Sequence, residues 1–301
     1  MKDPNYWTNY LLEKDAEEIA RNLKRTIFKS SELNLSLTYF EKDRNAPNIL
    51  LIGGAGGYSL FFGAEMMYKM HVRGYNVFGV DFQGHGDSEG KRGDFTIGKL
   101  VENCSDAAKY ISSNFNDRIG AIGASLGGFV TFYLGLAHGP VKSISCQNPA
   151  ILTEKKYQDE VTQKAKGILP VGKLLARLFP KVKIPVTLYV DFKGFPETDR
   201  ERGIFEKSIK DPNTVRWYTL RAAMSHILTA PPNPIEELRI PTMFLVPTRD
   251  KLMSVSYVRD LYDRLPPIKK KFVEVDGGHW WMLSHSKEAA QVICDWFDET
   301  L

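Results

Sequence analysis

Four features carry residue types suited to chemistry, and they lie far apart in the chain. The first is Gly123-Ala124-Ser125-Leu126-Gly127-Gly128, which follows the apolar run Ile119–Ile122 and opens an apolar segment of helical character. A serine between glycines at a strand-to-helix junction stands at the tip of a turn too sharp for bulky neighbours, its hydroxyl exposed. The helix N-terminus beside it offers unpaired N–H groups to developing negative charge. The chemistry this suits is nucleophilic attack on a carbonyl. A serine hydroxyl needs a base for that, and the base needs a partner that sets its tautomer.

His279, in Asp276-Gly277-Gly278-His279-Trp280-Trp281, is the expected base, because glycines before it let a tight loop aim the ring. His85 is an alternative inside a turn of its own. His71 and His138 read as structural, His226 falls in a proline-rich region and His285 opens the last helix. Asp250, just past the run Thr242–Val246, is the expected acid; Asp276 is a second choice, and Glu274 is expected to point away. The order Ser125, Asp250, His279 is that of nucleophile, acid and histidine on an open parallel sheet. Negative charge on the attacked oxygen calls for two main-chain donors. The N–H of Leu126 and that of Ala55, within Gly53-Gly54-Ala55-Gly56-Gly57, are the candidates. Those glycines lack the Gly-Lys-Ser/Thr ending of a phosphate loop.

The elements that must position these residues follow from periodicity. From 48 to 147 the order is strand, helix, strand, helix, strand, helix, strand, with strands at Ile49–Ile52, Asn76–Val80, Ile119–Ile122 and Val141–Cys146 and helices over 60–73 and 96–115. This predicts an α/β class with a mostly parallel sheet covered on both faces. Function in such sheets gathers at the carboxyl ends of the strands. Ahead of it, a helix is expected over 8–24, then strands at 26–28 and 33–40, the latter alternating as a half-exposed antiparallel edge. Residues 148–235, rich in proline, break the alternation and read as an inserted, mainly helical cap with helices at 154–166, 172–179, 200–208 and 213–229. The core resumes with a strand at 242–246, a helix at 254–264, a strand at 271–275 and a helix at 286–298. Three parts are therefore expected: 1–147, the cap 148–235, and 236–301.

At this stage the chain resembles the α/β-hydrolases, and among them the monoacylglycerol lipase and lysophospholipase-like serine hydrolases of the serine aminopeptidase S33 type. The resemblance rests on the glycine loop, on Asp81-Phe82-Gln83-Gly84-His85-Gly86-Asp87-Ser88-Glu89-Gly90, on the Ser125 turn, on Asp250 and on Gly278-His279. It implies an eight-stranded sheet, a cap over the pocket, no cofactor, and ester hydrolysis through an acyl-enzyme. Two positions depart from the pattern: Gly53 stands where a histidine is usual, and Pro247 where the stretch before the acid usually has glycine.

Composition bounds the alternatives. Across 301 residues the net charge is +4. Residues 151–185 hold eight Lys or Arg against three Asp or Glu, a solvated face or an attraction to an anionic substrate or phospholipid surface. No nucleic-acid signature and no metal-ligand spacing is present. The polar start does not read as a signal peptide, and no run reaches the ~20 apolar residues of a membrane span. Cys104, Cys146 and Cys294 read as buried thiols of a reducing, cytoplasmic setting. The apolar series Ile168, Leu169, Val171, Leu174, Leu175, Leu178, Phe179, Val182 and Ile184, with Trp280 and Trp281, suits an acyl-chain ester. Alternatives are a short-chain or aromatic ester, an amide or peptide, acyl transfer, or a catalytically silent binding protein.

Overall fold

The computed structural model describes residues 1–11, 16–161, 169–190 and 192–301. Eight strands form one sheet in the order β1-β2-β4-β3-β5-β6-β9-β10. These are β1 (Lys24–Ser30), β2 (Leu33–Phe40), β3 (Asn48–Ile52), β4 (Asn76–Val80), β5 (Ile119–Ala124), β6 (Ser143–Gln147), β9 (Thr242–Pro247) and β10 (Lys270–Val275). β1 and β2 are antiparallel to their neighbours, and the rest run parallel. The central strands β3, β4, β5 and β6 are buried on both faces; apolar or small residues dominate β3, β4 and β5, while β6 also buries Ser143, Ser145 and Gln147. Two hydrophobic clusters supply that cover. One involves α3 (Ile97–Asn114), α4 (Leu126–Leu136) and α9 (Val255–Asp263). The other involves α2 (Ala64–Val72) and α11 (Ser286–Asp298).

Parts of the sequence reading need correction. β2 is not an edge: it lies between β1 and β4, so Ser36 and Thr38 are buried along with Leu35 and Leu37. The helix expected over 8–24 is divided into a 3-10 turn, Tyr6–Tyr10, and α1 (Ala16–Asn22), with residues 12–15 outside the described residues. Trp7 and Tyr10 are buried, so the turn packs onto the body of the molecule.

Between β6 and β9 the chain leaves the sheet. It forms α5 (Lys155–Val161), α6 (Leu169–Leu178), α7 (Asp199–Lys210) and α8 (Leu220–Leu228). The end of the helix expected over 154–166, and Ile168, lie outside the described residues. The helix expected from 213 starts only at Leu220, because Trp217–Thr219 is a strand, β8, paired with β7 (Lys183–Pro185). Thr219 caps α8 by accepting the Ala222 N–H. This excursion is clamped to the core. Arg221 makes two hydrogen bonds to Asp94, at 2.6 and 2.7 Å, and the Thr219 N–H donates to the Gly93 carbonyl.

Candidate active site

The turn between β5 and α4 is as tight as its glycines suggest. Ser125 sits at φ 59°, ψ −127°, a region that L-residues rarely occupy. A Cβ at Gly127 would lie 2.1 Å from the Ile52 carbonyl oxygen, and one at Gly128 would lie 1.9 Å from that of Gln147. Close approach of α4 to the ends of β3 and β6 thus requires glycine at both positions. The same approach brings the glycine loop beside the serine: a Cβ on Gly54 would stand 3.9 Å from that of Ser125.

His279 and Asp250 leave the ends of β10 and β9, and backbone bonds tie their loops together, Thr248 to Val275 and Arg249 to Gly277. Nδ1 of His279 lies 2.9 Å from Oδ2 of Asp250, and both side chains are buried. An ionised carboxylate only accepts, so the proton sits on Nδ1 and the Nε2 lone pair faces away from the acid. Burial pushes the Asp250 carboxyl up, but the His279 charge and hydrogen bonds from His279, Leu252 and Asn148 outweigh it and hold the group below its ordinary value. The Leu252 N–H donates at 2.7 Å and the Asn148 amide at 2.8 Å.

Ser125, His279 and the loop Gly53–Gly56 line one cavity of about 570 Å³, together with residues of the excursion. No hydrogen bond joins Ser125 to His279 among the described residues. The Ala55 and Leu126 N–H groups have no acceptor among the described residues. Apolar side chains dominate the lining, among them Phe61, Phe62, Met66, Val186, Val190, Phe205, Ile209 and Trp280. Its charged residues are Lys193 and Arg216, with no Asp or Glu among the described residues.

The other candidates stand elsewhere. His85 is buried away from the cavity, its Nδ1 3.0 Å from the Gln83 carbonyl, and burial pushes its pKa down to about 4. Its loop folds around Asp81, whose carboxylate accepts the Ser59 and Asp87 N–H groups and lies where a Cβ on Gly86 would clash. Glu274 pairs with Arg259, and Asp276 with Arg249. His71 and His138 bond main-chain carbonyls, as does His226; His285 stacks on Trp281.

The sequence did not point to three residues around the His279–Asp250 pair: Gln147, Asn148 and Phe195. Gln147 and Asn148, polar at the end of a buried strand, form a network: Gln147 donates to the His279 carbonyl and to Asn148, which donates to Asp250. A polar pair closing the strand before Pro149 was the only signal. Phe195 of the excursion lies against the imidazole, ring centroids 4.2 Å apart. No local signal marks that contact, because it joins segments distant in sequence.

A mostly parallel eight-stranded sheet with a serine elbow between strand and helix defines an α/β-hydrolase. Solved structures superpose along nearly the whole chain. A monoacylglycerol lipase of Paleococcus ferrophilus aligns with TM-score 0.68 and 19% identity, over 91% of this chain and 98% of its own. DcsB, solved with a substrate analogue, gives 0.72 and 20%, over 92% and 99%. A Pyrococcus furiosus esterase gives 0.61 and 18%, over 94% and 95%. Among curated proteins none matches this sequence. The family profile described as serine aminopeptidase, S33 matches residues 43–283, and the chain belongs to that family.

Proposed function

We propose that this chain hydrolyses carboxylic esters bearing an acyl chain, an acylglycerol or lysophospholipid type of substrate, through an acyl-enzyme on Ser125. The observation that carries the reading is the largely apolar cavity lined by both Ser125 and His279, the latter paired with Asp250. His279 Nε2 takes the hydroxyl proton as Ser125 Oγ bonds to the acyl carbon. The Ala55 and Leu126 N–H groups hold the oxyanion. As the carbon–oxygen bond to the alcohol breaks, the imidazolium returns its proton to the leaving oxygen. Water, deprotonated by His279, then attacks the acyl-enzyme, and the second collapse releases the acid and restores Ser125. No step requires a cofactor.

The lining argues for an acyl chain over a peptide N-terminus. An aminopeptidase pocket must hold an ammonium group, which calls for a carboxylate, and the charged lining residues here are cationic. Residues 148–235 act in this reading as a cap over the acyl chain. Its α6 supports transient contact with an anionic lipid surface. The small residues Gly172 and Ala176 are the less exposed ones, a Cβ on Gly172 reaching Met224 of α8, while Val171, Leu174, Leu175 and Leu178 are exposed. Lys173, Arg177, Lys181 and Lys183 accompany them. That pairing of apolar stripe and basic flank suits an interfacial helix. The three cysteines are free and buried, which fits a reducing compartment such as the cytoplasm. No helix among the described residues is long and apolar enough to cross a membrane.

Ser125→Ala tests the chemistry. Turnover of a p-nitrophenyl ester should fall by about 10⁴-fold or more, and a fluorophosphonate should add to the wild-type serine and not to the variant. Unaltered turnover or labelling removes the assignment.

A further inference from the structure

Residues 1–11 lie ahead of the segment that the family profile matches, yet they reach the cavity wall. The Tyr10 hydroxyl donates to Asp211 Oδ2 at 2.6 Å. Tyr58, next to the glycine loop, donates to the same oxygen at 3.1 Å, and the Asn213 N–H donates to Oδ1 at 2.7 Å. Asp211 is fully buried, so three neutral donors hold its carboxylate. Burial and the neighbouring Asp211 push the Tyr10 phenol up, which keeps it a donor. Asp211 ends α7, whose Phe205, Ser208 and Ile209 line the cavity. One carboxylate therefore joins the N-terminal segment, the excursion and the core.

Further bonds run parallel to this joint. Asn213 accepts the Lys2 and Asp3 N–H groups at 2.8 and 3.1 Å and donates to the Asp3 carbonyl at 2.6 Å. Tyr6 donates to the Lys207 carbonyl, and Lys207 donates to that of Asn9. On its other side the Tyr10 ring meets Phe61 and Phe62 edge-on, at 5.1 and 4.8 Å. Phe62 holds φ 59°, a strained value for a bulky residue, and both phenylalanines line the cavity. A conformer of that kind persists only where packing over-determines it.

We propose that residues 1–11 form a strap that sets the position of α7 and of Phe61 and Phe62, and so the part of the cavity that takes the distal acyl chain. Tyr10 is the positioning residue. The proposal rests on the acyl-ester reading above for its effect on substrate, though not for its effect on α7. A strap of this kind discriminates by chain length, because a short acyl group occupies only the end next to Ser125.

Two variants release it independently: Tyr10→Phe keeps the ring and removes the donor, and Asn213→Ala frees the Lys2–Asp3 end. Hydrogen exchange should quicken across 199–213 and stay unchanged in β5 and α4. KM for p-nitrophenyl dodecanoate should rise about tenfold, the scale of a lost hydrogen bond to a buried charge, and KM for the acetate less than about twofold. Unchanged exchange across 199–213, or equal rises of KM for both esters, overturns the proposal. If the wild-type protein hydrolysed neither ester, the function proposed above would fall, and exchange alone would still decide for or against the strap on α7.

Discussion

Ser125 is held in a backbone conformation that glycine would adopt more easily. Strain of this kind costs about 1–3 kcal/mol and is retained where function needs it. Ser125→Gly should therefore abolish turnover and raise the melting temperature, by about 2 °C for a chain of this size; a lower Tm in scanning calorimetry would contradict the strain argument. Around His279 the residues divide by what each touches. Asp250 meets its Nδ1, Gln147 meets its carbonyl, and Phe195 covers its ring face. Asn148 acts one step further out, on the carboxylate. Its φ of 62° is one that asparagine tolerates better than most residues, which lets the amide turn back toward Asp250.

At the scale of elements, the site is a property of strand ends. β3, β5, β9 and β10 run parallel, so the loops that follow them emerge along one edge of the sheet. Residues 125 and 279, more than 150 positions apart, share a cavity for that reason. The excursion, which supplies part of the cavity lining, is fastened where Asp94 meets Arg221 and Thr219. Burial pushes the Asp94 carboxyl up, but hydrogen bonds from Arg221 and Thr219 and the arginine charge outweigh it, leaving the folded-state value below the ordinary one. A depressed carboxylate stabilises the fold fully above its unfolded value of about 3.9, and that contribution is lost as pH falls through the lower folded value. Asp94→Asn should thus lower Tm at pH 7, with the gap to wild type closing below about pH 4. A gap that stayed constant with pH would mean that the carboxylate charge plays no part.

For the molecule as a whole, the exposed stripe of α6 belongs to the excursion that also supplies part of the cavity lining. β7, which follows that stripe, pairs Pro185 with Trp217, and both line the cavity. A surface that docks there would bring lipid close to the residues around the opening. Leu174→Glu with Leu178→Glu should abolish co-sedimentation with vesicles of anionic phospholipid and leave turnover of a soluble short-chain ester intact. Retained vesicle binding would place the contact on another face.

Much of the core could be read from local pattern. The apolar runs of β3 and β4 mark strands buried on both faces, and β4 and α11 fall where periodicity alone puts them. The residues offered as nucleophile, base and acid were also legible one by one, because each sits in a glycine- or proline-marked turn after a strand. What local pattern misjudged depended on neighbours remote in the chain. β2 looked like an edge because its alternation says nothing of β1 beyond it. Residues 217–219 looked helical because only pairing with β7 makes them a strand. The buried carboxylate of Asp211 could not be distinguished from a surface aspartate, since its donors come from residues 10 and 58. By itself the sequence determined most of the strands and helices of the sheet core and which side chains are candidates for the chemistry, since both follow from spacing and residue type. Tertiary structure alone decided the shape of the cavity, the network behind Asp250 and the contacts of residues 1–11 with α7 and Asp211, because each is built from contacts between segments that no local interaction brings together.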